Sequence, residues 1–433
     1  MTYNAMKSGT SRRAERAALL KTLYAQRARV MGVAVGALAV VGVGFVPGAA
    51  ASDEQSKQWY LDPMKADQMW KVSTGKGVKV AVIDTGVNPD TASLKGQVLA
   101  DEVPKAVSYH ATIDYEGHGT SMAELIAGTG ADGGVKGLAP GAKIVPYRIK
   151  LEGLKGAEEK QKTPEPADAI RAAADTDVKI INMSFGSDYV DPDEEAAIKY
   201  AASKGKLMIA AVGNAGEAKG HVGYPAAYPY VLGVSAMDKT GTVSKFSSYG
   251  GYVDLTAPGE AIPGWCDANF RSYCDGRQGT SPAAAIASAA AALVWSAHPD
   301  WTVNQVTRAL IDTAGRDWPK DDPSSYLGYG AVRPREVLDN AGYDAGPANI
   351  DPLAKENGGD LLAKSSTVSS SSSTPSPSPS SQAPQKTSTG GTSAAESSSN
   401  SDSNSLWIAI TAAAAVILIG GAAAAVVRAR RAR

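Results

Sequence analysis

Short apolar runs alternating with helical patterns constrain this chain more than any other feature. Lys76–Asp84 (KGVKVAVID) is β-branched and punctuated by glycine, and further runs follow at Lys143–Ile149, Val178–Met183, Leu207–Val212 and Val231–Val234. Between them lie segments with helical spacing: Ser121–Ala127, Ala167–Ala174 and Glu194–Ser203. Apolar runs of this length read as strands buried on both faces. Strand alternating with helix predicts an α/β fold, a mostly parallel twisted sheet with helices on both faces. In such sheets ligands bind beyond the carboxyl ends of the strands. Asp84 falls at one such end, and Met183-Ser184-Phe185-Gly186 and Val212-Gly213-Asn214 follow two others.

The two ends of the 433-residue chain read differently. Residues 1–51 carry a basic region, the apolar run Val30–Val46 and the small residues Pro47 to Ala51, the pattern of a secretory signal cut after Ala51. An uncleaved N-terminal anchor is the alternative. Leu406–Val427 is apolar and ends in Arg428, Arg430, Arg431 and Arg433. As a helix it spans roughly 33 Å, enough for a bilayer core, and the arginines put the 428–433 tail in the cytoplasm. Between domain and span, residues 354–405 are rich in Ser, Thr, Pro and Gly and predict a disordered tether. That leaves 52–353 as the folded domain, on the outer face of the cell membrane. A net charge of −1 gives no reason to expect nucleic-acid binding. The two cysteines, Cys266 and Cys274, predict one disulfide in an exported domain, bracing the region of Ser281. No cofactor is called for, and no acidic loop is compact enough to assign a metal.

Three motifs carry chemistry: Val82-Ile83-Asp84-Thr85-Gly86, Gly117-His118-Gly119-Thr120 and Gly279-Thr280-Ser281. They supply a carboxylate, an imidazole and a hydroxyl, the equipment of nucleophilic acyl transfer, in one of the chain orders such triads take. Ser281-Pro282 also fits an ordinary helix start, with Ser281 as N-cap and Pro282 at the first position of an alanine-rich helix running to His298. Taken alone, Gly-Thr-Ser is a weak signal; the three motifs together favour chemistry.

At this point the sequence closely resembles the subtilisin-like serine proteases over residues 59–340. Gly137-Leu138-Ala139-Pro140-Gly141-Ala142, Ile181-Asn182-Met183-Ser184-Phe185-Gly186, Ala211-Val212-Gly213-Asn214 and Ala257-Pro258-Gly259 resemble further signatures of that family. The resemblance implies that Ser281 attacks the scissile carbonyl, His118 moves the proton and Asp84 orients the imidazole. It implies Asn214 as oxyanion donor with the Ser281 N–H, and Ser184, Phe185 and Gly186 as the edge that pairs with substrate. Within the family, the signal, tether and C-terminal anchor look most like the mycosins, membrane-anchored proteases associated with type VII secretion. The short stretch between residue 52 and Asp84 leaves no room for the folding propeptide common among secreted subtilisins.

The expected function is therefore a membrane-anchored extracellular serine endopeptidase, whose partners are protein or peptide substrates and a membrane secretion complex. The alternatives are a scaffold subunit with dispensable catalysis, or a leader peptidase for secreted peptides. One departure stands out: the family's proline four residues after the nucleophile is here Ala285, with Pro282 instead. Activity is expected to survive, because the Ser281 N–H remains. Asp114 is a rival carboxylate for His118, but Asp84 fits better by its strand end and Gly/Thr context. His110 reads as surface, His221 as surface or cleft edge, and His298 as a cation at a helix C-terminus. Leu151–Pro166 reads as a solvated loop.

Overall fold

The structure is a computed structural model and describes residues 53–218 and 220–358. The signal segment, Leu406–Val427, the basic tail and the tether beyond residue 358 lie outside the described residues. Six strands form one sheet: β1 (Lys79–Asp84), β2 (Lys143–Arg148), β3 (Ile180–Met183), β4 (Leu207–Ala211), β5 (Val231–Met237) and β6 (Leu255–Pro258). Their order is β2-β1-β3-β4-β5-β6, and every neighbouring pair is parallel. A separate antiparallel hairpin joins β7 (Ile262–Trp265) to β8 (Tyr273–Arg277). The main helices are α1 (His118–Ala127), α2 (Pro166–Ala174), α3 (Pro192–Ser203), α4 (Thr280–Ala297) and α5 (Val303–Asp312).

Side-chain alternation along the strands builds two cores. In β1, Val80 and Val82 enter one cluster while Ala81 and Ile83 enter the other; in β4, Leu207 and Ile209 part from Met208 and Ala210 in the same way. The first cluster is closed by α1, α4 and α5, the second by α2 and α3. Helices on both faces explain why these strands carry apolar residues without a polar side.

Among the described residues α4 is the helix long and apolar enough to cross a membrane, yet 83% of it is buried inside the domain. A helix apolar on all sides suits such a position. Alanines at 283–285, 287 and 289–292 let it lie close against β3, β4, β5 and β6. One polar chain crosses this contact. Ser288 Oγ donates to Asn182 Oδ1 (3.0 Å), Asn182 Nδ2 donates to Ser184 Oγ (3.0 Å), and Ser184 Oγ donates to the Ser281 carbonyl (3.1 Å). The buried amide of Asn182 thus ties the middle of α4 and its first turn to β3.

Two parts differ from the sequence reading. Leu151–Pro166 contains a short helix, Ala157–Lys162, which buries no residue, while Leu154 and Thr163 anchor the otherwise largely exposed segment. The helix of Ser281 starts at Thr280 with Gly279 as its N-cap, which moves Ser281 and Pro282 inside the first turn. Proline is tolerated there because first-turn N–H groups have no acceptor within the helix. Replacing Asn182 by Leu removes a partner from both Ser288 and Ser184, and should lower unfolding free energy by about 1–3 kcal/mol. Urea denaturation of wild type and variant checks this; an unchanged midpoint would contradict it.

Candidate active site

Asp84 ends β1 and is fully buried; its Oδ1 meets His118 Nδ1 at 2.7 Å. The same oxygen accepts from the Thr85 N–H (2.7 Å) and the Thr85 hydroxyl (3.2 Å). His118 opens α1. The close approach of α1 to the strand end requires Gly119, where an added Cβ would fall 2.2 Å from the Gly86 carbonyl oxygen and 3.0 Å from Asp84 Cβ.

Asp114 proves to be the organiser of this helix start rather than a rival for the imidazole. Its Oδ1 accepts from Thr85 Oγ1 (2.7 Å), Glu116 N (3.0 Å) and Gly117 N (2.8 Å). Its Oδ2 accepts from Thr120 N (2.8 Å) and Thr120 Oγ1 (2.7 Å). A buried carboxylate therefore takes the Thr120 N–H, one of the orphan donors of α1, and holds Thr85, whose hydroxyl oxygen accepts from the Gly119 N–H (2.9 Å). The strand-end and Gly/Thr setting of Asp84 already favours it over Asp114 as the histidine partner.

Ser281 is held at the end of the neighbouring strand. Its Oγ donates to the Ser184 carbonyl oxygen at 3.0 Å, so the hydroxyl faces β3 rather than the imidazole. Ile83 and Met183 are register partners on β1 and β3, which makes Asp84 and Ser184 the next residues out on adjacent parallel strands. Such strands run about 4.8 Å apart. The imidazole is thus clasped to one strand end and the hydroxyl to the next.

Asn214 follows β4, and its orientation is fixed by the residue before Ser281. Its Oδ1 accepts from Thr280 N (2.9 Å) and Thr280 Oγ1 (3.1 Å), while Thr280 Oγ1 accepts from Gly213 N (3.1 Å). With the oxygen engaged, the amide Nδ2 remains as the outward donor. The Ser281 N–H lies in the first turn of α4, where no acceptor within the helix claims it. Phe185, Gly186 and Asn214 line one open cleft, and His221 joins its wall with Nε2 at 3.2 Å from Asp188 Oδ1.

The sulfurs of Cys266 and Cys274 lie at disulfide distance, 2.07 Å. The hairpin they close packs on the histidine helix. Trp265 N donates to Ser121 Oγ (2.9 Å), and Tyr273 OH donates to Glu124 Oε2 (2.9 Å). Thr91 donates to the other Glu124 oxygen (2.8 Å), and burial pushes this α1 carboxyl up to about 7. The remaining histidines are remote from this chemistry. His110 stacks on Tyr109, and His298 stacks on Trp301 at 3.8 Å between ring centres. Burial lowers the His298 pKa, which favours the neutral ring over the expected cation. Among the described residues no group of His, Cys, Asp and Glu could hold a metal ion.

Burial works to lower the His118 pKa, but the charge and hydrogen bond of Asp84, helped by the charge of Asp114, outweigh it, and the pKa stands above the ordinary histidine value. The imidazole becomes a neutral proton acceptor only above that raised pKa. Asp84→Asn removes the main raising influence, so the His118 pKa should fall below that of the native protein. NMR titration of the imidazole measures both; an unchanged or higher value in the variant would refute the assignment.

A family model described as the subtilase family matches residues 75–331. The minor extracellular protease Epr of Bacillus subtilis (strain 168) is 32% identical over 303 residues, 68% of this chain and 44% of Epr. This chain therefore spans less than half the length of that relative. Subtilisin Savinase of Lederbergia lenta is 36% identical over 267 residues, 60% of this chain and 92% of its own. Among solved structures, the MycP3 protease from the type VII (ESX-3) secretion system superposes with a TM-score of 0.53 at 30% identity, covering 68% of this chain and 90% of that one. MycP1 from Mycobacterium smegmatis gives a TM-score of 0.54 at 27% identity, covering 70% and 89%. The family match takes in the whole sheet, both site helices and Asp84, His118, Asn214 and Ser281. The chain belongs to the subtilase family and is a subtilisin-like serine endopeptidase.

Proposed function

We propose that this protein is a membrane-anchored protease that cuts exported proteins outside the cell and works with a type VII secretion system. The observation that carries the chemistry is the buried 2.7 Å Asp84–His118 bond at a strand end adjacent to the one that holds Ser281. Anchoring is supported by the apolar run Leu406–Val427 with its arginine-rich end, and the exported side by the signal-like residues 1–51. The association with secretion rests on the likeness to MycP3 and MycP1, proteases of the ESX-3 and ESX-1 type VII systems.

In this mechanism a substrate segment adds as a strand along Ser184-Phe185-Gly186. The Ser281 hydroxyl turns from the Ser184 carbonyl toward His118, which takes its proton as oxygen attacks the scissile carbonyl. Asp84 stabilises the imidazolium so formed. The oxyanion is met by Asn214 Nδ2 and the Ser281 N–H. His118 then gives its proton to the leaving amine, and water repeats the sequence to free the acyl group. Pro282 leaves both oxyanion donors in place.

Asn214→Ala should lower turnover by about 10²–10³, a magnitude taken from subtilisin itself. Steady-state kinetics on a peptide substrate reads it, and a change below threefold would remove Asn214 from the mechanism. The biological role is read by mass spectrometry of exported proteins from cells carrying wild type or Ser281→Ala. Specific new termini should vanish in the variant; identical termini in both strains would defeat the processing role.

A further inference from the structure

The edge that begins at Ser184 continues to Ser187, which exchanges both backbone hydrogen bonds with Tyr224 (2.8 Å each), and then runs into α3. Glu194 stands in the first turn of α3, and its side chain lines the same cleft as Phe185, Gly186 and Asn214. It is only 7% exposed, and its Oε1 has no hydrogen-bond partner among the described residues. Glu124, also buried, receives a hydroxyl on each oxygen. A buried carboxylate without such partners is destabilising unless a donor or cation reaches it.

Among the described residues no cation pairs with Glu194. Asp191 engages its own Oδ1 in capping α3 through the N–H groups of Asp193 and Glu194. Burial first, and the charge of Asp191 second, push the Glu194 carboxyl up to about 7. Among the described residues, five carboxylates line this cleft against two lysines and a histidine. Of these bases, Lys150 is paired with Glu165 and His221 with Asp188. The cleft is thus acidic, with one buried carboxyl open to a partner from outside.

We propose that Glu194 is a specificity-determining residue that selects substrates carrying a lysine or arginine within the stretch paired with the Ser184–Gly186 edge. The inference deepens the protease reading above and rests on it. An extended chain added to that edge directs alternate side chains into the cleft wall. A long apolar stem ending in an ammonium or guanidinium can pass Phe185 and meet Glu194 with a charge-assisted hydrogen bond. An uncharged side chain of the same length leaves the carboxyl unpartnered, and discrimination arises from that difference.

The test is a positional scan with the full-length chain and fluorogenic peptides, placing lysine or its uncharged analogue norleucine at each position around the scissile bond. The quantity read is the lysine-to-norleucine ratio of kcat/KM within each protein, so yield and folding cancel. At one position wild type should favour lysine by about tenfold to hundredfold. Glu194→Gln should bring that ratio close to unity, and Glu194→Leu should turn it in favour of norleucine. A ratio near unity at every position in wild type, or a lysine preference that persists in Glu194→Gln, overturns the inference while leaving the protease reading intact. If cleavage of the whole set is unaffected by Ser281→Ala, or is absent, the protease reading itself fails and the role of Glu194 fails with it.

Discussion

Everything at the site depends on the parallel pairing of β1 with β3. Their register sets Ile83 opposite Met183, so the first residues beyond the pair, Asp84 and Ser184, emerge side by side. Asp84 then holds His118 through Nδ1, and Ser184 holds Ser281. A slip of one residue in either strand would turn these side chains to the other face. The register is protected by burial on both faces, since Val80 and Val82 and the intervening Ala81 and Ile83 belong to different cores.

Polar groups then lock the helices onto that frame. Asp114 joins the start of α1 to Thr85, Asn182 joins α4 to β3, and Thr280 turns the Asn214 amide. Each is a buried or half-buried group with at least one partner from a distant part of the chain. Such networks are favourable when every member is satisfied and costly when one is lost. Glu194 lacks a partner for Oε1, and it lies in the cleft wall where a substrate side chain can provide one.

Much of this was legible in the sequence, for a physical reason. Strands β1 to β5 announce themselves because burial on both faces forces apolar, β-branched runs between turns. The three motifs were legible because close packing around Asp84, His118 and Ser281 demands glycine and small hydroxyl residues, as Gly119 against Gly86 illustrates. Strand β6 escaped because Leu255–Pro258 is four residues long and ends in proline. The hairpin of β7 and β8 escaped because its partner is α1, far away in sequence, and its cysteines point only to one another. Asp114 and Glu194 were opaque for a common reason: a carboxylate's role is set by the donors that converge on it, or fail to. In sequence, Glu194 is one of several acidic residues in the first turn of a helix, where exposure is the ordinary outcome.

The pairing of strand ends should make Ser281 a nucleophile activated by His118. Covalent labelling by a fluorophosphonate, mapped by peptide mass spectrometry, tests it most directly because the reagent needs an activated serine but no particular substrate. One adduct is expected, on Ser281, formed rapidly in wild type and at a strongly reduced rate in His118→Ala. An adduct on another residue, or labelling of Ser281 at the same rate without the imidazole, would contradict it.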